Sequence, residues 1–345
     1  MILREDLPQK STMPISEIKY KAKLDQNESP IDIPIEIKEK LFEEFKKIEF
    51  NRYPQPYFYY ETKEIFSSYL GVSPKNFLIT VGADQGIWLA FFLAGGKNRS
   101  AIIYEPTYPI FKHAGIITQT NLEILNLGVN YKISPDTFKN HNIICIVNPN
   151  NPTGNLQDDE VILEAIKRNA LVVIDEAYFP FSNKTYKHLI NDYKNVYIIR
   201  SLSKSLLAGI RIGIVISDSD IISMGEEVLT SPYHLSILQL VILRNFHLIE
   251  TYYQNSIKIV NEEKERIYKV FDNLGIEYIK SFANFILFKV KEPNFVYNEL
   301  VKRGIRIRNV SYMKGLENYL RITIGRPDEN ELFISAIREI LITML

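Results

Sequence analysis

Short, nearly uninterrupted runs of apolar and β-branched residues recur through the first two thirds of the chain, and they constrain its fold more than any other feature. Longer amphipathic segments, such as 84–93 and 158–168, lie between these runs and are predicted helices. Strands that are apolar on both faces and alternate with helices are typical of an α/β fold with a mostly parallel central sheet. The predicted strands are residues 77–81, 101–104, 122–127, 143–147, 171–175, 196–200 and 212–216.

The pattern changes after residue 232, which predicts a second, smaller α+β domain. A long helix is expected near 235–270. Strands at 284–289, 304–308 and 319–324 and helices at 294–303 and 329–341 are predicted to follow. The domains that we predict are an N-terminal arm at 1–30, a large domain at 50–232, and a small domain formed by 31–49 with 245–345. The helix at 34–48 is expected to pack with the small domain.

Composition narrows the classes of function. The chain has 345 residues, with 41 basic and 41 acidic side chains, so nothing favours a nucleic-acid partner and self-association is plausible. A single cysteine, Cys145, excludes a disulfide framework and a thiolate metal cage, and its apolar neighbours predict a buried strand residue. We find no secretory signal and no apolar run that could span a membrane, so no membrane partner and a cytoplasmic location are expected.

The segment around Lys204 carries the strongest chemical signal. Ser201 and Ser203 precede the lysine and Arg211 follows it, and these three side chains suit a phosphate. Lysine becomes a nucleophile when burial or a nearby cation lowers its pKa. A lysine beside a phosphate site indicates pyridoxal 5′-phosphate (PLP), which needs both an amine for its aldehyde and a place for its phosphate.

Four further segments, each at the end of a predicted strand, fit the same cofactor. Gly82-Ala83-Asp84 opens a helix, whose free amides suit a phosphate. The turn that contains Asn151 follows the Cys145 strand, and Asp175 closes an apolar strand, where its carboxylate would suit a protonated pyridine nitrogen. Tyr108 follows another strand and is placed to stack on a ring. Taken singly, each segment also fits a structural role, as a turn, a helix cap or core packing.

Taken in order, these motifs resemble the class I and II (fold type I) PLP-dependent aminotransferases, within them the histidinol-phosphate aminotransferase branch. The motifs are Gly82-Ala83-Asp84, Pro106-Thr107-Tyr108, Pro149-Asn150-Asn151-Pro152-Thr153-Gly154, Asp175-Glu176-Ala177-Tyr178, Ser201-Leu202-Ser203-Lys204 and Arg211. The resemblance implies the fold type I architecture, a large PLP-binding domain with a smaller C-terminal one, and a homodimer.

The resemblance also implies a role for each motif residue. The catalytic residues would be Lys204, Asp175 and Tyr178. Lys204 would hold the cofactor aldehyde and move the substrate proton, while Asp175 would pair with the ring nitrogen. The remaining cofactor ligands would be Asn151 and Tyr178 at the ring oxygen, Tyr108 on the ring face, Ala83, Asp84, Ser201, Ser203 and Arg211 at the phosphate, and Tyr53 from the partner subunit.

The substrate end is implied by Arg308 and Arg321, which match the pair that handles substrate phosphate or carboxylate in this branch, together with Asn284 and Asn27. The arginines also fit solvated strand positions, and Asn284 also fits a strand terminus. No metal is expected, because the histidines lack ligand spacing.

The expected activity is amino transfer between glutamate/2-oxoglutarate and a small phosphate monoester, by a ping-pong mechanism. The monoester would be histidinol phosphate or a three-carbon amino or keto phosphate. The spacing from Lys204 to Arg211 is one residue shorter than is usual in the family, and His234 and Gln85 replace its frequent asparagine and glutamate. Two alternatives remain open: a PLP-dependent decarboxylase of phosphoserine or phosphothreonine, and a PLP-binding regulatory module without catalysis. A nicotinamide dehydrogenase is disfavoured, because no Gly-x-Gly-x-x-Gly follows a strand.

Overall fold

A computed structural model describes residue 7 and residues 20–344, so the rest of the predicted N-terminal arm lies outside the described residues. The strands are β1 (Ala22–Lys23), β2 (Phe77–Val81), β3 (Ser100–Glu105), β4 (Asn121–Asn126), β5 (Ile143–Val147), β6 (Leu171–Asp175), β7 (Val196–Ser201), β8 (Ile212–Ser217), β9 (Tyr278–Ile279), β10 (Phe285–Lys289), β11 (Ile305–Arg306), β12 (Arg308–Asn309) and β13 (Tyr319–Thr323). The helices are α1 (Ile35–Lys46), α2 (Pro56–Leu70), α3 (Gly82–Ala94), α4 (Ile110–Ile117), α5 (Asp159–Ile166), α6 (Phe179–Ser182), α7 (Ser219–Val228), α8 (Ile237–Arg244), α9 (Glu250–Leu274), α10 (Pro293–Lys302) and α11 (Pro327–Thr343).

The seven predicted strands form one seven-stranded sheet in the order β2-β8-β7-β6-β5-β3-β4. The pairs β4–β3, β3–β5, β5–β6 and β6–β7 are parallel. Strand β8 runs antiparallel to both of its neighbours, β7 and β2. The prediction of a mostly parallel α/β sheet flanked by helices is confirmed. As a result, β3, β5, β6 and β7 all end at one edge of the sheet, where α/β proteins bind ligands.

Both faces of the central strands β5 to β8 are buried, which explains their continuous apolar runs, whereas the edge strand β4 has no fully buried residue. Every residue of β5 is buried. Ile144 and Ile146 belong to the hydrophobic cluster on one side, and Ile143 and Cys145 belong to the cluster on the other. Side chains alternate between the two faces of a strand, so each face needs its own apolar residues.

The C-terminal part has a separate core. Strands β12, β13, β10 and β9 form an antiparallel sheet, and β1 pairs with β11 in parallel. Helices α9, α10 and α11 contribute buried apolar residues to the same cluster, for example Phe271 and Phe333. This separate core supports a second domain from α9 onward, but Phe246 and Ile249 pack in a cluster of the large sheet. The division into residues 50–232 and 245–345 remains our proposal.

One predicted contact is wrong. Leu41 of α1 packs in the cluster of the large sheet, with Phe66 of α2 and Leu240 of α8, and not with the small-domain core. The amphipathic pattern of residues 34–48 shows that one face must be buried, but it does not specify against which core.

The long helix predicted near 235–270 is also interrupted. Helix α8 ends at Arg244, a 3₁₀ turn covers Phe246–Leu248, and α9 begins at Glu250. Among residues 20–344, no helix combines the length and the apolar character that crossing a membrane requires.

Candidate active site

The carboxyl ends of β3, β5, β6 and β7 meet at one edge of the large sheet. Asp175 is the last residue of β6, and the segments that follow β3, β5 and β7 carry Tyr108, Asn151 and Lys204. Strands β5, β6 and β7 are hydrogen-bonded neighbours, with Val147 opposite Asp175 in the register. The strand order therefore brings together polar side chains that lie far apart in the sequence.

A cavity of about 480 Å³ opens at this edge, and it contains every cofactor ligand predicted within one subunit. Its walls are Ala83, Asp84, Tyr108, Val147, Asn151, Asp175, Ala177, Tyr178, Ser201, Ser203, Lys204 and Arg211. Sequence reasoning missed Val147 and Ala177. Val147 could have been found as the last residue of an apolar strand, and Ala177 as the residue between Glu176 and Tyr178.

Tyr53 does not line this cavity in its own subunit. Its side chain is 75% exposed, and its ring meets that of Tyr233 edge to face at 5.7 Å. The role of Tyr53 in a partner's cavity stays a prediction.

One end of the cavity is an anion cradle. Helix α3 begins at Gly82, so the first amides of the helix, at Ala83 and Asp84, have no partner from a preceding turn. Arg211 lies beside them, with Nη1 3.5 Å from Ser203 Oγ and Nη2 3.3 Å from a carboxylate oxygen of Asp84. The short turn after Lys204 therefore still delivers Arg211 to the cavity. A helix N-terminus beside a guanidinium and a serine hydroxyl suits a phosphate.

Asp175 lies at the other end and is 3% exposed. Its Oδ1 accepts a hydrogen bond from the Ala177 amide at 2.9 Å. Burial raises the pKa of Asp175 to about 7, and nearby Asp84 adds to this shift, while the Ala177 bond and Lys204 oppose it. A cation placed beside this carboxyl would ionise it, because the opposite charge favours the carboxylate.

Two tyrosines have fixed hydroxyl groups. The Tyr178 oxygen accepts a hydrogen bond from Asn27 Nδ2 at 2.8 Å, and burial raises its pKa to about 12, although the charge of Arg321 opposes the shift. Tyr178 therefore keeps its proton at neutral pH and can donate it to a ligand. The Tyr108 hydroxyl donates to Asp84 Oδ1 at 2.9 Å, and burial raises the pKa of Tyr108 as well.

Lys204 lies in the turn that follows β7. Its Nζ contacts the carbonyl oxygen of Gln26 at 3.4 Å. Burial lowers the pKa of this lysine to about 8, and the charge of Arg321 contributes to the same shift. The unprotonated fraction of the amine near neutral pH is consequently larger than for an ordinary lysine, as a nucleophile or a base requires.

The cavity opens into a larger cleft of about 1850 Å³, and Lys204 and Tyr178 line both. The cleft walls include Arg308 and Arg321, and also Asn27, all of which were predicted at the substrate end. Arg308 and Arg321 are opposite each other in the β12–β13 pair. Directly opposite residues of an antiparallel pair place their side chains on the same face.

Arg321 is held tightly at the junction of the two spaces. It is 7% exposed, with Nη1 donating to Asn151 Oδ1 at 2.6 Å and Nη2 donating to the Asp25 carbonyl at 2.8 Å. Its guanidinium lies 5.1 Å from the centre of the Phe285 ring. Burial lowers the pKa of Arg321 to about 10.

Of the two asparagines predicted at the substrate end, Asn27 lines the cleft and Asn284 lies behind it. Asn27 belongs to residues 22–29, here called the N-terminal strap, and contacts both Tyr178 and Thr323 through its side chain. Asn284 has no exposed surface and lines neither the cavity nor the cleft. The structure places Asn284 behind Lys204, away from the cleft surface on which a substrate contact was expected.

Sequence reasoning missed a buried ion pair directly beneath the site. Glu176 follows Asp175, and Arg200 precedes Ser201. Arg200 Nε and Nη2 both donate to one oxygen of Glu176, Oε2, at 3.1 and 3.0 Å. The available signal was a pair of opposite charges beside the last residues of two apolar strands.

This architecture, a mostly parallel sheet with a partly buried lysine, a buried acid and an anion cradle at its carboxyl edge, defines a fold type I enzyme of the kind that uses PLP. The chain belongs to the aminotransferase class I and II family, whose sequence model matches residues 19–337.

Known proteins resemble this chain over nearly its whole length. A histidinol-phosphate aminotransferase from Caldanaerobacter subterraneus subsp. tengcongensis is 33% identical over 353 aligned residues, which cover 99% of both chains. The crystal structure of histidinol-phosphate aminotransferase from Sinorhizobium meliloti, in complex with pyridoxal-5′-phosphate, matches with a TM-score of 0.84 at 20% identity, over 95% of this chain and 92% of that one. L-threonine-O-3-phosphate decarboxylase from Porphyromonas gingivalis shares the fold with a TM-score of 0.79 at 21% identity, over 93% and 99%.

The protein is therefore a PLP-dependent aminotransferase in sequence and fold, similar to the histidinol-phosphate branch. This result sets aside the non-catalytic regulatory module. The cavity fits the cofactor: Arg211 and the start of α3 would hold its phosphate, the buried acid Asp175 would face its ring nitrogen, and Lys204, an amine of lowered pKa, would hold its aldehyde.

Proposed function

We propose that this enzyme moves an amino group between glutamate/2-oxoglutarate and a small phosphate monoester, either histidinol phosphate or a three-carbon amino or keto phosphate. The full-length relative named for histidinol phosphate supports the first of these substrates. A ping-pong reaction requires one cleft to accept both partners in turn, and both are anions.

The observation that carries the proposal is that the Arg321 guanidinium is buried without a carboxylate partner among residues 20–344. Its guanidinium is buried and donates to an amide and to a main-chain carbonyl, yet no carboxylate of residues 20–344 lies within 4 Å of it. Its Nε has no hydrogen-bond partner among the described residues. A buried cation is costly unless an anion pairs with it, so Arg321 is suited to a substrate carboxylate.

Arg308 supplies a second cation on the same face of the small sheet. Lys314 adds positive charge to the cleft walls, whereas Lys112 pairs with Glu105 of the same walls at 3.8 Å. The cleft therefore favours a substrate with an anionic group at each end, as glutamate, 2-oxoglutarate and amino phosphates with a suitable spacing have.

The residues of the chain divide the remaining work. Bound PLP supplies a cationic ring that withdraws electrons from the substrate Cα. The Asp175 carboxylate would accept a hydrogen bond from the protonated ring nitrogen, and Lys204 Nζ, of lowered pKa, would remove and return the Cα proton. Because Asn151 Oδ1 accepts a hydrogen bond from Arg321, the amide nitrogen of Asn151 would be left to donate to the ring oxygen together with Tyr178.

The decisive experiment is a half-reaction screen followed by cofactor absorbance. Glutamate should convert bound PLP to pyridoxamine phosphate, and histidinol phosphate should do so with a much higher kcat/KM than histidinol. Failure with glutamate would contradict amino transfer. Release of carbon dioxide from phosphothreonine or phosphoserine, without need for a keto acid, would instead establish the decarboxylase alternative.

A matched pair of variants tests the anion site. Arg321→Met should lower kcat/KM for glutamate about 100-fold, because a charge-assisted pair contributes about 1.5–3 kcal/mol. Arg326→Met removes a guanidinium with an exposed side chain that pairs with Asp328 instead, and it should leave kcat/KM unchanged. Equal effects of the two substitutions would contradict a substrate contact at Arg321.

We also propose a homodimer in which Tyr53 completes the partner's phosphate site. Phe50, Tyr53, Tyr57, Tyr60 and Tyr233 are exposed aromatic residues, a type enriched at protein interfaces. Sedimentation should give twice the monomer mass. Mixed dimers of Lys204→Ala and Tyr53→Ala subunits should recover part of the activity, since one of their two sites has both residues intact, whereas no recovery would contradict the shared site.

A further inference from the structure

We propose that Asn284 is a positioning residue that fixes the main chain of Lys204 and of the N-terminal strap, and that it does not contact substrate. The proposal rests on the family's use of Lys204 and PLP and is independent of which substrate the enzyme prefers. Asn284 uses its side-chain amide to hold two main-chain carbonyls.

The side-chain nitrogen of Asn284 bridges two main-chain carbonyls. It donates to the Asn27 carbonyl at 3.0 Å and to the Lys204 carbonyl at 3.1 Å. Both partners are acceptors, so only the amide nitrogen can face them. The opposite atom, Oδ1, is left buried and without a partner among the described residues. An unpaired buried acceptor is unfavourable, so this orientation is maintained by the two carbonyl contacts.

The contact matters at Lys204 because this residue lies in a turn, outside the regular pairing of β7. Within the described part of the chain, the Lys204 carbonyl accepts its hydrogen bond from Asn284 Nδ2. Helix or sheet bonds do not hold this peptide. The direction in which the lysine side chain enters the cavity therefore depends on the bond from Asn284.

The contact of Asn284 with the Asn27 carbonyl extends its positioning role to Tyr178. Asn27 has a left-handed backbone, with φ of 55°, and its side chain contacts the Tyr178 hydroxyl and Thr323 Oγ1. By holding the Asn27 carbonyl, Asn284 keeps this side chain in place. One buried amide thus links Lys204 with the residue that orients Tyr178.

Asn284 is itself well anchored. The Ala283 carbonyl accepts a bond from the buried Lys264 ammonium at 3.0 Å, and the Phe282 amide donates to the Gly154 carbonyl at 2.7 Å. The Asn284 carbonyl accepts from the Ile324 amide at 2.9 Å. The segment is tied to both the small-domain sheet and the turn that carries Asn151, as a positioning element requires.

The test replaces the donor by an acceptor of the same shape. Asn284→Asp places a carboxylate oxygen against two carbonyls, so PLP affinity should fall about tenfold or more, and the pH midpoint of the bound cofactor's absorbance should shift. Asn195→Asp is the matched control, because Asn195 Nδ2 also donates to three main-chain carbonyls, but at the far edge of the sheet. It should leave PLP affinity and the absorbance midpoint unchanged.

Asn284→Ser keeps a shorter donor and should fall between the wild type and Asn284→Asp in both measurements, which preserves the test if the aspartate variant does not fold. The proposal is overturned if Asn284→Ser retains wild-type PLP affinity and absorbance but raises the KM for substrate, since that outcome is expected of a direct substrate ligand. It is also overturned if Asn195→Asp reproduces the effects of Asn284→Asp. None of these outcomes depends on whether a phosphate monoester is a substrate.

Discussion

Glu176 and Arg200 form an ion pair in which Oε2 and Nη2 are 3.0 Å apart, and the two residues are 0% and 8% exposed. Each is the immediate sequence neighbour of a cavity residue, Asp175 in one case and Ser201 in the other. Glu176 also accepts bonds from the Thr185 hydroxyl and the Tyr186 amide. The pair therefore ties together the ends of β6 and β7 directly beneath the cofactor cavity.

Removing one member of this pair should be strongly destabilising. Glu176→Ala leaves the Arg200 guanidinium buried without its counterion, and it should lower the free energy of unfolding by about 3–5 kcal/mol. Urea denaturation measures this change. Glu43→Ala, which removes an exposed pair with Lys46, should cost less than about 1 kcal/mol. Similar costs for the two variants would contradict a structural role for the buried pair.

The stability of the apoprotein should depend on pH through Asp175. Its pKa is raised from 3.8 to about 7, so the folded state retains a proton that the unfolded state has released. The contribution of Asp175 to stability therefore falls as pH rises from about 4 to about 7. Asp175→Asn cannot ionise, so denaturation at pH 5 and pH 8 should show it gaining stability relative to wild type at the higher pH. A constant difference between the two proteins would contradict the raised pKa.

The reactivity of Lys204 should depend on Arg321. The arginine charge helps to lower the pKa of Lys204 to about 8, after the larger effect of burial. Arg321→Met should raise this pKa, because loss of a neighbouring cation favours the protonated amine. Acetylation of the apoprotein followed by mass spectrometry should show slower labelling of Lys204 at pH 8. The exposed substitution Arg326→Met should leave the labelling rate unchanged, and equal slowing by both variants would argue against the coupling.

Gly82 should be needed for the phosphate cradle. Its φ is +74°, and an added Cβ would lie 2.6 Å from Arg211 Nη2. Gly82→Ala should therefore displace Arg211 and weaken PLP binding about tenfold, with a smaller effect on pyridoxal, which lacks the phosphate. Gly315 has a similar φ of +83° and open space around it, so Gly315→Ala reproduces the backbone strain alone. Fluorescence titration of the two variants separates the clash from the strain.

The sequence predicted the large sheet well because its central strands are buried on both faces and so are recognisable as apolar runs. The cofactor cavity could be predicted for the same reason, since its residues follow those strands directly. The antiparallel direction of β8 was not predictable from its composition, because an apolar run has the same pattern in either direction.

The remaining differences depend on tertiary contacts. The apolar stripe around Leu41 predicted a packed helix but did not reveal which core it meets. Glu176 and Arg200 could be paired only once β6 and β7 were known to be neighbours. The bridge from Asn284 to Lys204 joins residues 80 positions apart through main-chain carbonyls, which every residue has, so no side-chain pattern indicates it.

The N-terminal strap bears on how the enzyme matures. Asn27 reaches Thr323 across 296 positions of the chain. A ribosome releases Asn27 long before it has made Thr323, so a nascent polypeptide lacks the hydroxyl that fixes this asparagine. The Asn27 side chain can therefore hold the Tyr178 hydroxyl in its final geometry only after almost the whole chain has been translated.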